Sequence, residues 1–348
     1  MTTRGGRSWA LALALSLLAG GVIHALEAKE GLVRLVVNES TARVSLYRLV
    51  DIAKDRYVPL LFDQDPRTSF VTLSIDGRQV KLGDASDYRV SVARTDTGVK
   101  IEFRSALCVV REILDFAHSD GSALADGLRV SFELENVSER DSQLGIRYLL
   151  DTYLAEKSGV HFVTDQRARV NAETAITPTS SDTWVQTPGE QASFMVQLSG
   201  PGVDRPDLVL LANWKRLSDS PWSFEANGQR NFTLVPYSIN DSAIGLFWQP
   251  SLVQRGAIRK LSFVMGSFNE KGYPLPTAAT ATDQIFAATV LGSPPPDKAT
   301  AMAADLVSVR DLISQIDRLL ASGSQITDDE LATWKKILDR LEERKKDY

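Results

Sequence analysis

The densest run of residues able to do chemistry lies between positions 144 and 152. In a strand, Arg147 and Asp151 share one face, with Leu149 between them. Residues four apart along a strand are separated by about 13 Å, so each needs a partner on a neighbouring strand or faces a cleft. Two interpretations stay open: structural ion pairing, or a polar ligand-binding patch to which His161 contributes.

Tryptophans in the second half of the chain could extend that patch. Flat aromatic rings on a β surface can stack on sugar rings, although tryptophans at strand ends more often fill a core or an interface. The ligand-binding residues predicted in this way are Arg147, Asp151, His161, Trp184, Trp214, Trp222 and Trp248.

Signatures of catalysis are missing from the sequence. Beyond residue 28 the only histidines are His118 and His161, and there is no Gly-x-Ser-x-Gly elbow, phosphate loop, dinucleotide fingerprint or zinc spacing. Residues 63–65 (Asp-Gln-Asp) lack the glycine and the distal glutamate of a calcium loop. We therefore predict no catalytic residue, no metal and no cofactor, and favour binding over catalysis.

Composition excludes several classes of protein. The 348 residues include 44 acidic and 39 basic side chains, with 43% hydrophobic residues. These values exclude a disordered chain, a collagen, a polytopic membrane protein and a disulfide-stapled miniprotein. A net charge of -5 without a basic block argues against nucleic acid as the main partner.

The N-terminus has the pattern of a secretory signal peptide. Two arginines precede an apolar run over residues 8–23, which is shorter than the roughly 20 residues that span a bilayer. Cleavage after Ala25 or after Ala28 fits the small-residue requirement, and an uncleaved anchor is the alternative. We predict a signal peptide over 1–28, no later membrane span, and a periplasmic or secreted protein.

Cys108 is the only cysteine of the chain. It cannot form an intramolecular disulfide, and it lies too far from the signal region for the protein to be a lipoprotein. Its apolar neighbours at 106–110 predict a buried, inert thiol.

Short alternating runs separated by turn residues fill the middle of the chain. Asp76-Gly77 is typical of a two-residue hairpin turn. Such strands, without a fixed repeat, predict a mainly β fold: a large antiparallel, supersandwich-like β-sandwich over 29–291. The predicted strands are 32–37, 71–75, 78–82, 88–92, 99–103, 128–134, 144–150, 193–198, 207–212, 232–237, 243–248 and 259–265.

The C-terminal part changes character. A Pro-rich linker at 292–297 precedes a predicted antiparallel α-helical hairpin at 298–348, in which Thr327 and Glu330 form a capping box. Two helices alone leave apolar stripes uncovered, so the hairpin packs on the β domain, on a protein partner or on its own copy. The predicted contact residues are Met302, Leu306, Val309, Ile313, Leu331, Trp334 and Leu338, with Ile316 and Leu320 continuing the first stripe.

Several short motifs resemble a group of uncharacterised exported bacterial proteins, which is similar to the supersandwich β folds of the galactose-mutarotase kind. The motifs are 68–70, 75–77, 145–147, 150–152, 241–243 and 248–250. The resemblance implies the fold. Mutarotases use histidines with a glutamate base, and because no matching motif is present, that activity is not predicted here.

Two functions remain from these observations. The favoured one is an exported, non-catalytic binding or assembly protein of the bacterial cell envelope, with the β domain as scaffold and the C-terminal helices as contact element. The alternative is a carbohydrate-binding or carbohydrate-processing protein with its site on the concave sheet face. The expected partners are accordingly a protein or a second copy, and possible glycan ligands.

Overall fold

Strands dominate the chain up to Ser267, and helices follow from Ala281. The computed structural model describes residues 25–122, 124–275, 281–292, 297–322 and 326–348. Most of the predicted signal peptide and linker lies outside these residues. The strands are β1 (Ala25–Glu30), β2 (Val33–Asn38), β3 (Val44–Asp51), β4 (Arg56–Pro59), β5 (Phe70–Ile75), β6 (Arg78–Lys81), β7 (Arg89–Arg94), β8 (Gly98–Arg104), β9 (Cys108–Ala117), β10 (Gly127–Asn136), β11 (Ser142–Thr152), β12 (Val163–Thr164), β13 (Thr174–Ile176), β14 (Trp184–Thr187), β15 (Phe194–Gln197), β16 (Leu208–Asn213), β17 (Ser242–Val253) and β18 (Ile258–Ser267).

The described strands form three antiparallel sheets. A four-stranded meander runs β1-β2-β3-β4. An eight-stranded sheet has the order β12-β14-β15-β18-β10-β9-β8-β7, and a six-stranded sheet has the order β13-β16-β17-β11-β5-β6. The prediction of a mainly β, large antiparallel architecture with C-terminal helices is confirmed.

Local turn chemistry sets the hairpin of β5 and β6. Asp76 and Gly77 have φ angles of 49° and 84°, which a two-residue hairpin turn requires. The turn brings Ile75 opposite Arg78, as the Asp-Gly pair predicts.

The core lies between the two large sheets. Ile146, Tyr148 and Leu150 of β11 point inward, and the Tyr148 ring meets the Phe132 and Phe263 rings of the eight-stranded sheet at 6.0 and 5.9 Å. The alternate residues of β11 therefore face outward.

Cys108 is fully buried at the start of β9. Burial raises the pKa of its thiol to about 12, so the thiolate that would be reactive does not form near neutral pH. The prediction of a buried thiol is confirmed.

Residues 232–237 form a loop, and the prediction of a strand there is wrong. Leu234 and Ser238 form an isolated bridge, which closes a tight turn. Pro236 lies inside the turn, where its missing N–H prevents it from donating to a ladder. Short α1 (Trp214–Asp219), which sequence analysis did not predict, precedes this loop.

The helical part begins at Ala281, ahead of the predicted start at 298. It comprises α2 (Ala281–Phe286), a π-helical segment (Ala287–Leu291), α3 (Lys298–Ser322) and α4 (Asp328–Lys345). Lys298 at the start of α3 bonds to Asp347 near the end of the chain, so α3 and α4 run in opposite directions. The α2 segment packs against both helices, so they form more than a simple hairpin.

The capping box at the start of α4 is present. Thr327 and Glu330 exchange the two reciprocal bonds that the motif requires. No helix among the described residues is long and apolar enough to cross a bilayer.

The buried face of α3 differs from its most apolar face. The side chains it buries are Ala301, Asp305, Val307, Ser308, Asp311 and Leu312. The predicted contact residues Met302, Leu306 and Ile313, with Leu320, are 46–62% exposed, whereas Val309 is partly buried against the helical cluster. The buried residues at 301, 305, 308 and 312 each precede a stripe residue by one position, which is roughly 100° around the helix.

The second predicted stripe is divided in the same way. Trp334 is buried in the helical cluster together with Ile337 and Leu341, whereas Leu331 and Leu338 are each 50% exposed. Polar contacts explain the orientation of α3: Asp305 pairs with Arg344 at 2.9 Å inside the helical cluster.

The helices dock on the turn between β1 and β2. The Gly31 N–H donates to Asp311 Oδ2 at 2.7 Å, and Arg310 donates to the Gly31 carbonyl at 2.7 Å and to the Tyr57 hydroxyl at 2.9 Å. Gly31 has a φ of 55°, and a Cβ there would lie 2.3 Å from the backbone N of Ala125. Glycine is therefore required at this turn.

The pairing of β1 with β2 restricts the position at which an exported form could be cleaved without loss of stability. Cleavage after Ala28 would remove four of the six residues that pair with β2, including the fully buried Ala28 itself. We propose that the chain is exported and cleaved after Ala25, so the mass of the exported protein should correspond to a start at Leu26. A chain starting at Lys29 should melt at a lower temperature than one starting at Leu26. Recovery of a start at Lys29, or of an uncleaved chain, would contradict the proposal.

Candidate functional site

Two carboxyl groups meet where β11 ends and β17 begins. Asp151 is the penultimate residue of β11, and Asp241 immediately precedes β17. In this antiparallel pair Thr152 lies opposite Ser242. The Thr152 hydroxyl donates to the Ser242 carbonyl at 2.8 Å, and the Ser242 hydroxyl donates back to the Thr152 carbonyl at 3.2 Å. This buried exchange fixes the register that places Asp151 beside Asp241.

Glu156 supplies a third carboxyl group from the loop after β11. Its Oε1 accepts a bond from the Ser242 N–H at 3.4 Å. One carboxylate oxygen from each of Asp151, Glu156 and Asp241 lies within 4.8 Å of the other two. We call these three residues the carboxyl cluster.

Neighbouring backbone holds the cluster in place. The Asp151 N–H donates to Ser69 Oγ at 2.9 Å, and the Asp151 carbonyl accepts from the Phe62 N–H at 3.0 Å. Trp214 links both sides of the site, because its N–H donates to the Asp241 carbonyl at 3.1 Å and its indole Nε1 donates to the Thr68 carbonyl at 2.9 Å.

Burial shifts the protonation of all three groups. It raises the pKa of Asp151 to about 7 and that of Glu156 to about 8, and each shift is increased by the charge of Asp241. Burial also raises the pKa of Asp241, against a hydrogen bond from Ser238 that lowers it. Among the described residues no lysine or arginine forms an ion pair with the cluster. Near neutral pH burial therefore favours protonated carboxyl groups in the cluster, and the close spacing couples their titrations.

This arrangement has two chemical capacities. A partly protonated cluster offers a carboxylic acid and a carboxylate side by side, which is the pair needed for general acid–base catalysis. Three close carboxylates could also hold a divalent cation in place of the protons.

Arg147 lies on the outer face of β11, as does Asp151, but it has a different role. Its guanidinium donates to the carbonyls of Ser220 and Trp222 at 2.9 and 2.7 Å, just beyond the end of α1. No ion pair joins it to a carboxylate in the described part of the chain, and burial lowers its pKa to about 10. Arg147 thus holds α1 and the segment after it against the sheet.

The other predicted ligand-binding residues are dispersed. His161 is buried, with its ring 4.6 Å from that of Phe232, and burial lowers its pKa. Trp184 packs on Phe268 at 5.0 Å outside the eight-stranded sheet. Trp248 is 2% exposed in the main core.

Trp222 also lies away from the cluster. Its indole donates to Gln249 at 3.0 Å and packs on the Phe247 ring at 5.8 Å. Of the predicted ligand-binding residues, the structure brings Asp151 and Trp214 together at the carboxyl cluster.

Sequence reasoning missed Glu156 and Asp241 as members of a site. Asp241 lies 90 positions after Asp151, and only the pairing of β11 with β17 makes them neighbours. The sequence did contain one signal for the site: Asp151 lies at the end of one predicted strand, and Asp241 lies just before the start of another. Glu156 sits in an irregular loop, where no periodicity indicates the direction of a side chain.

Comparison with known proteins adds a likeness of shape. No protein-family profile matches the chain, and no curated protein is significantly similar to it in sequence. Among solved structures, it is similar to a galactose mutarotase-like protein from Lactobacillus casei ATCC 334 (TM-score 0.40, 10% identity, 70% of this chain and 100% of that chain). It is also similar to a putative aldose 1-epimerase from Escherichia coli K12, with a TM-score of 0.42, 10% identity, and 70% of this chain and 99% of that chain covered. A third similar structure is a GalM/aldose epimerase homologue from C. elegans, with a TM-score of 0.43, 10% identity, and 71% of this chain and 99% of that chain covered.

The structures similar in shape are thus galactose-mutarotase-like, the kind of protein that the sequence motifs resemble. At 10% identity and these TM-scores, the likeness assigns no residue and no activity.

The raised pKa values predict how stability depends on pH. The folded-state pKa of Glu156, about 8, lies above its ordinary 4.5, so its protonated form favours folding and this contribution is lost as pH rises towards 8. Glu156→Gln should be more stable than the unaltered chain at pH 8, by on the order of 1–2 kcal/mol after allowance for solvent screening, and nearly equal at pH 4. Urea unfolding at several pH values measures this.

Exposed Glu190 provides the matched control, since Glu190→Gln should leave the pH profile unchanged. If Glu156→Gln showed the same loss of stability from pH 5 to 8 as the unaltered chain, Glu156 would not hold its proton. Stabilisation of the unaltered chain, but not of the variant, by millimolar calcium would indicate a cation in the cluster.

Proposed function

We propose that the protein binds a neutral saccharide at the carboxyl cluster and can transfer protons to and from it. The observation that carries the proposal is the convergence of one carboxylate oxygen each from Asp151, Glu156 and Asp241 within 4.8 Å, with no ion-paired lysine or arginine in the described part of the chain. Mixed protonation gives the cluster both donors and acceptors, which is what the hydroxyl groups of a sugar require.

The charge of the cluster narrows the ligand class. An acidic site to which the described residues bring no lysine or arginine partner repels phosphates and carboxylates, so the ligand is neutral or cationic. A polyhydroxylated neutral ligand uses all three carboxyl groups as hydrogen-bond partners. An amine would use the carboxyl groups only as counter-ions. Binding of an amine instead of a sugar is therefore the result that the test must distinguish.

Proton transfer at the anomeric centre is the reaction that best fits two adjacent carboxyl groups. A carboxylic acid of the cluster can donate to the ring oxygen while a neighbouring carboxylate accepts the proton of the anomeric hydroxyl group. These two transfers break the bond between C1 and the ring oxygen and leave an open-chain aldehyde. Rotation about the C1–C2 bond and reversal of both proton transfers then close the ring as the other anomer.

Titration calorimetry with D-galactose, D-glucose and cell-wall oligosaccharides tests binding, and polarimetry of freshly dissolved α-D-galactose tests proton transfer. We expect Asp241→Asn and Asp151→Asn to weaken binding at least about tenfold, because a neutral amide lacks the second acceptor oxygen. Asp219→Asn is the matched control, since this residue is 59% exposed on α1 and outside the cluster.

Three results would contradict the proposal: binding that Asp241→Asn leaves unchanged, no binding of any of these sugars, or binding of simple alkylamines alone. Binding without faster anomer interconversion would restrict the protein to recognition.

A second function is favoured by the exposed stripe of α3. Leu306 and Ile313 are each 53% exposed on one face of that helix, with Met302 and Leu320 at either end. Contiguous exposed apolar surface is typical of a protein contact. We therefore propose that α3 binds a protein partner or a second copy of the chain, in addition to the sugar site.

The paired substitution Leu306→Glu with Ile313→Glu should abolish this association, because it places two charges within the apolar contact. Chemical crosslinking in the native envelope, followed by sizing of the purified protein, measures the loss. Leu252→Glu, at a 61% exposed position of β17, controls for added charge. Crosslinked species that persist in the double variant would show that the stripe is not a contact.

A further inference from the structure

A small cavity lies where the three described sheets meet. Its lining includes Val44 of β3, Glu112 of β9 and Tyr148 of β11, so each of these sheets contributes a strand to it. The cavity has a volume of about 10 Å³. This is close to the least room that a single water molecule requires.

Glu112 brings a carboxyl group to the wall of this cavity. The residue is 1% exposed, and the Tyr148 hydroxyl donates a hydrogen bond to its carboxyl group. The other carboxyl oxygen, Oε1, is buried and has no hydrogen-bond partner among the described residues. Because buried polar atoms in folded proteins are almost always hydrogen-bonded, Oε1 calls for a donor from outside the described chain.

Arg43 brings an unused donor to the same cavity. The residue is 3% exposed, and its guanidinium donates to the Leu82 carbonyl at 2.8 Å and to Asp84 Oδ1 at 2.6 Å. Its Nε–H is buried and has no acceptor within the described part of the chain. The two contacts fix the guanidinium, so the free N–H keeps its position beside the cavity.

The two unpartnered groups restrict the chemistry of what the cavity binds. The charge of Arg43 lowers the pKa of Glu112, against burial that raises it to about 7, so the two groups are near one another. A cation would be repelled by the Arg43 guanidinium, and an anion would be repelled by the ionised Glu112. A neutral molecule that both donates and accepts a hydrogen bond satisfies both groups, and at this volume that molecule is water.

We propose that one water molecule binds in this cavity, where it accepts a hydrogen bond from Arg43 Nε and donates one to Glu112 Oε1. The water then links the segment that leads into β3 with strand β9, and so joins the four-stranded meander to the eight-stranded sheet. Ser69 also lines the cavity, and its Oγ accepts from the Asp151 N–H at 2.9 Å. The water site is therefore one side chain away from the carboxyl cluster, although it does not depend on sugar binding there.

A high-resolution crystal structure of the full, unaltered chain tests the inference directly. We expect one water oxygen at about 2.7–3.2 Å from both Arg43 Nε and Glu112 Oε1. A cavity without density, or a direct ion pair between Arg43 and Glu112 that closes the cavity, would overturn the proposal.

Oxygen-17 relaxation dispersion, which counts long-lived internal waters, provides the test in solution. Glu112→Leu should lose one such water relative to the unaltered chain, because the acceptor is removed. Glu112→Gln keeps a polar partner in the cavity and should keep the count, as should the control Glu39→Leu at an exposed position. An equal count for Glu112→Leu and the unaltered chain would contradict the proposal. The crystal structure decides the question if Glu112→Leu does not fold.

Discussion

The register of β11 against β17 is the constraint on which the candidate site depends. Thr152 and Ser242 exchange buried hydrogen bonds at the end of this pair, and Asp151 and Asp241 follow directly from that register. A slip of one residue would turn Asp151 towards the core and Leu150 towards the outer face. The cluster lowers the free energy of unfolding, because it removes three neighbouring carboxyl groups from water. The apolar core between the two large sheets offsets that cost, and such local conflict is expected at functional sites.

Much of the fold follows from local rules in the sequence. Alternating residues and the Asp76-Gly77 pair predicted ten of the fourteen strands of the two large sheets, because burial on one face imposes a period of two. The prediction missed β9, β12, β13 and β14. The prediction of a strand failed at 232–237, because apolar and polar residues alternate in this loop as they do in a strand. The predicted β domain also extended to residue 291, whereas residues 281–291 are helical.

The site was less predictable than the fold. Asp151 was singled out because it lies in a dense polar strand end, but its partners come from a distant strand and an irregular loop. Arg147 was predicted in the same ligand-binding patch because the two residues share one face of the strand, whereas the Arg147 guanidinium donates to backbone carbonyls. In α3, the periodicity of apolar residues identified the apolar face, but it did not show that most of this face is exposed to solvent. The contacts of Asp305 and Asp311 orient the helix instead, and a hydrophobic pattern does not record such polar partners.

The bond between Gly31 and Asp311 joins residues 280 positions apart. A polypeptide is made from its N-terminus, so the β1–β2 turn exists long before α3 has been synthesised. Until then the Gly31 N–H and carbonyl lack the partners that Asp311 and Arg310 supply. Contacts between residues so far apart in sequence form late in folding. The last helices therefore complete the β1–β2 turn, and an incompletely synthesised chain leaves the polar backbone groups of Gly31 without these partners.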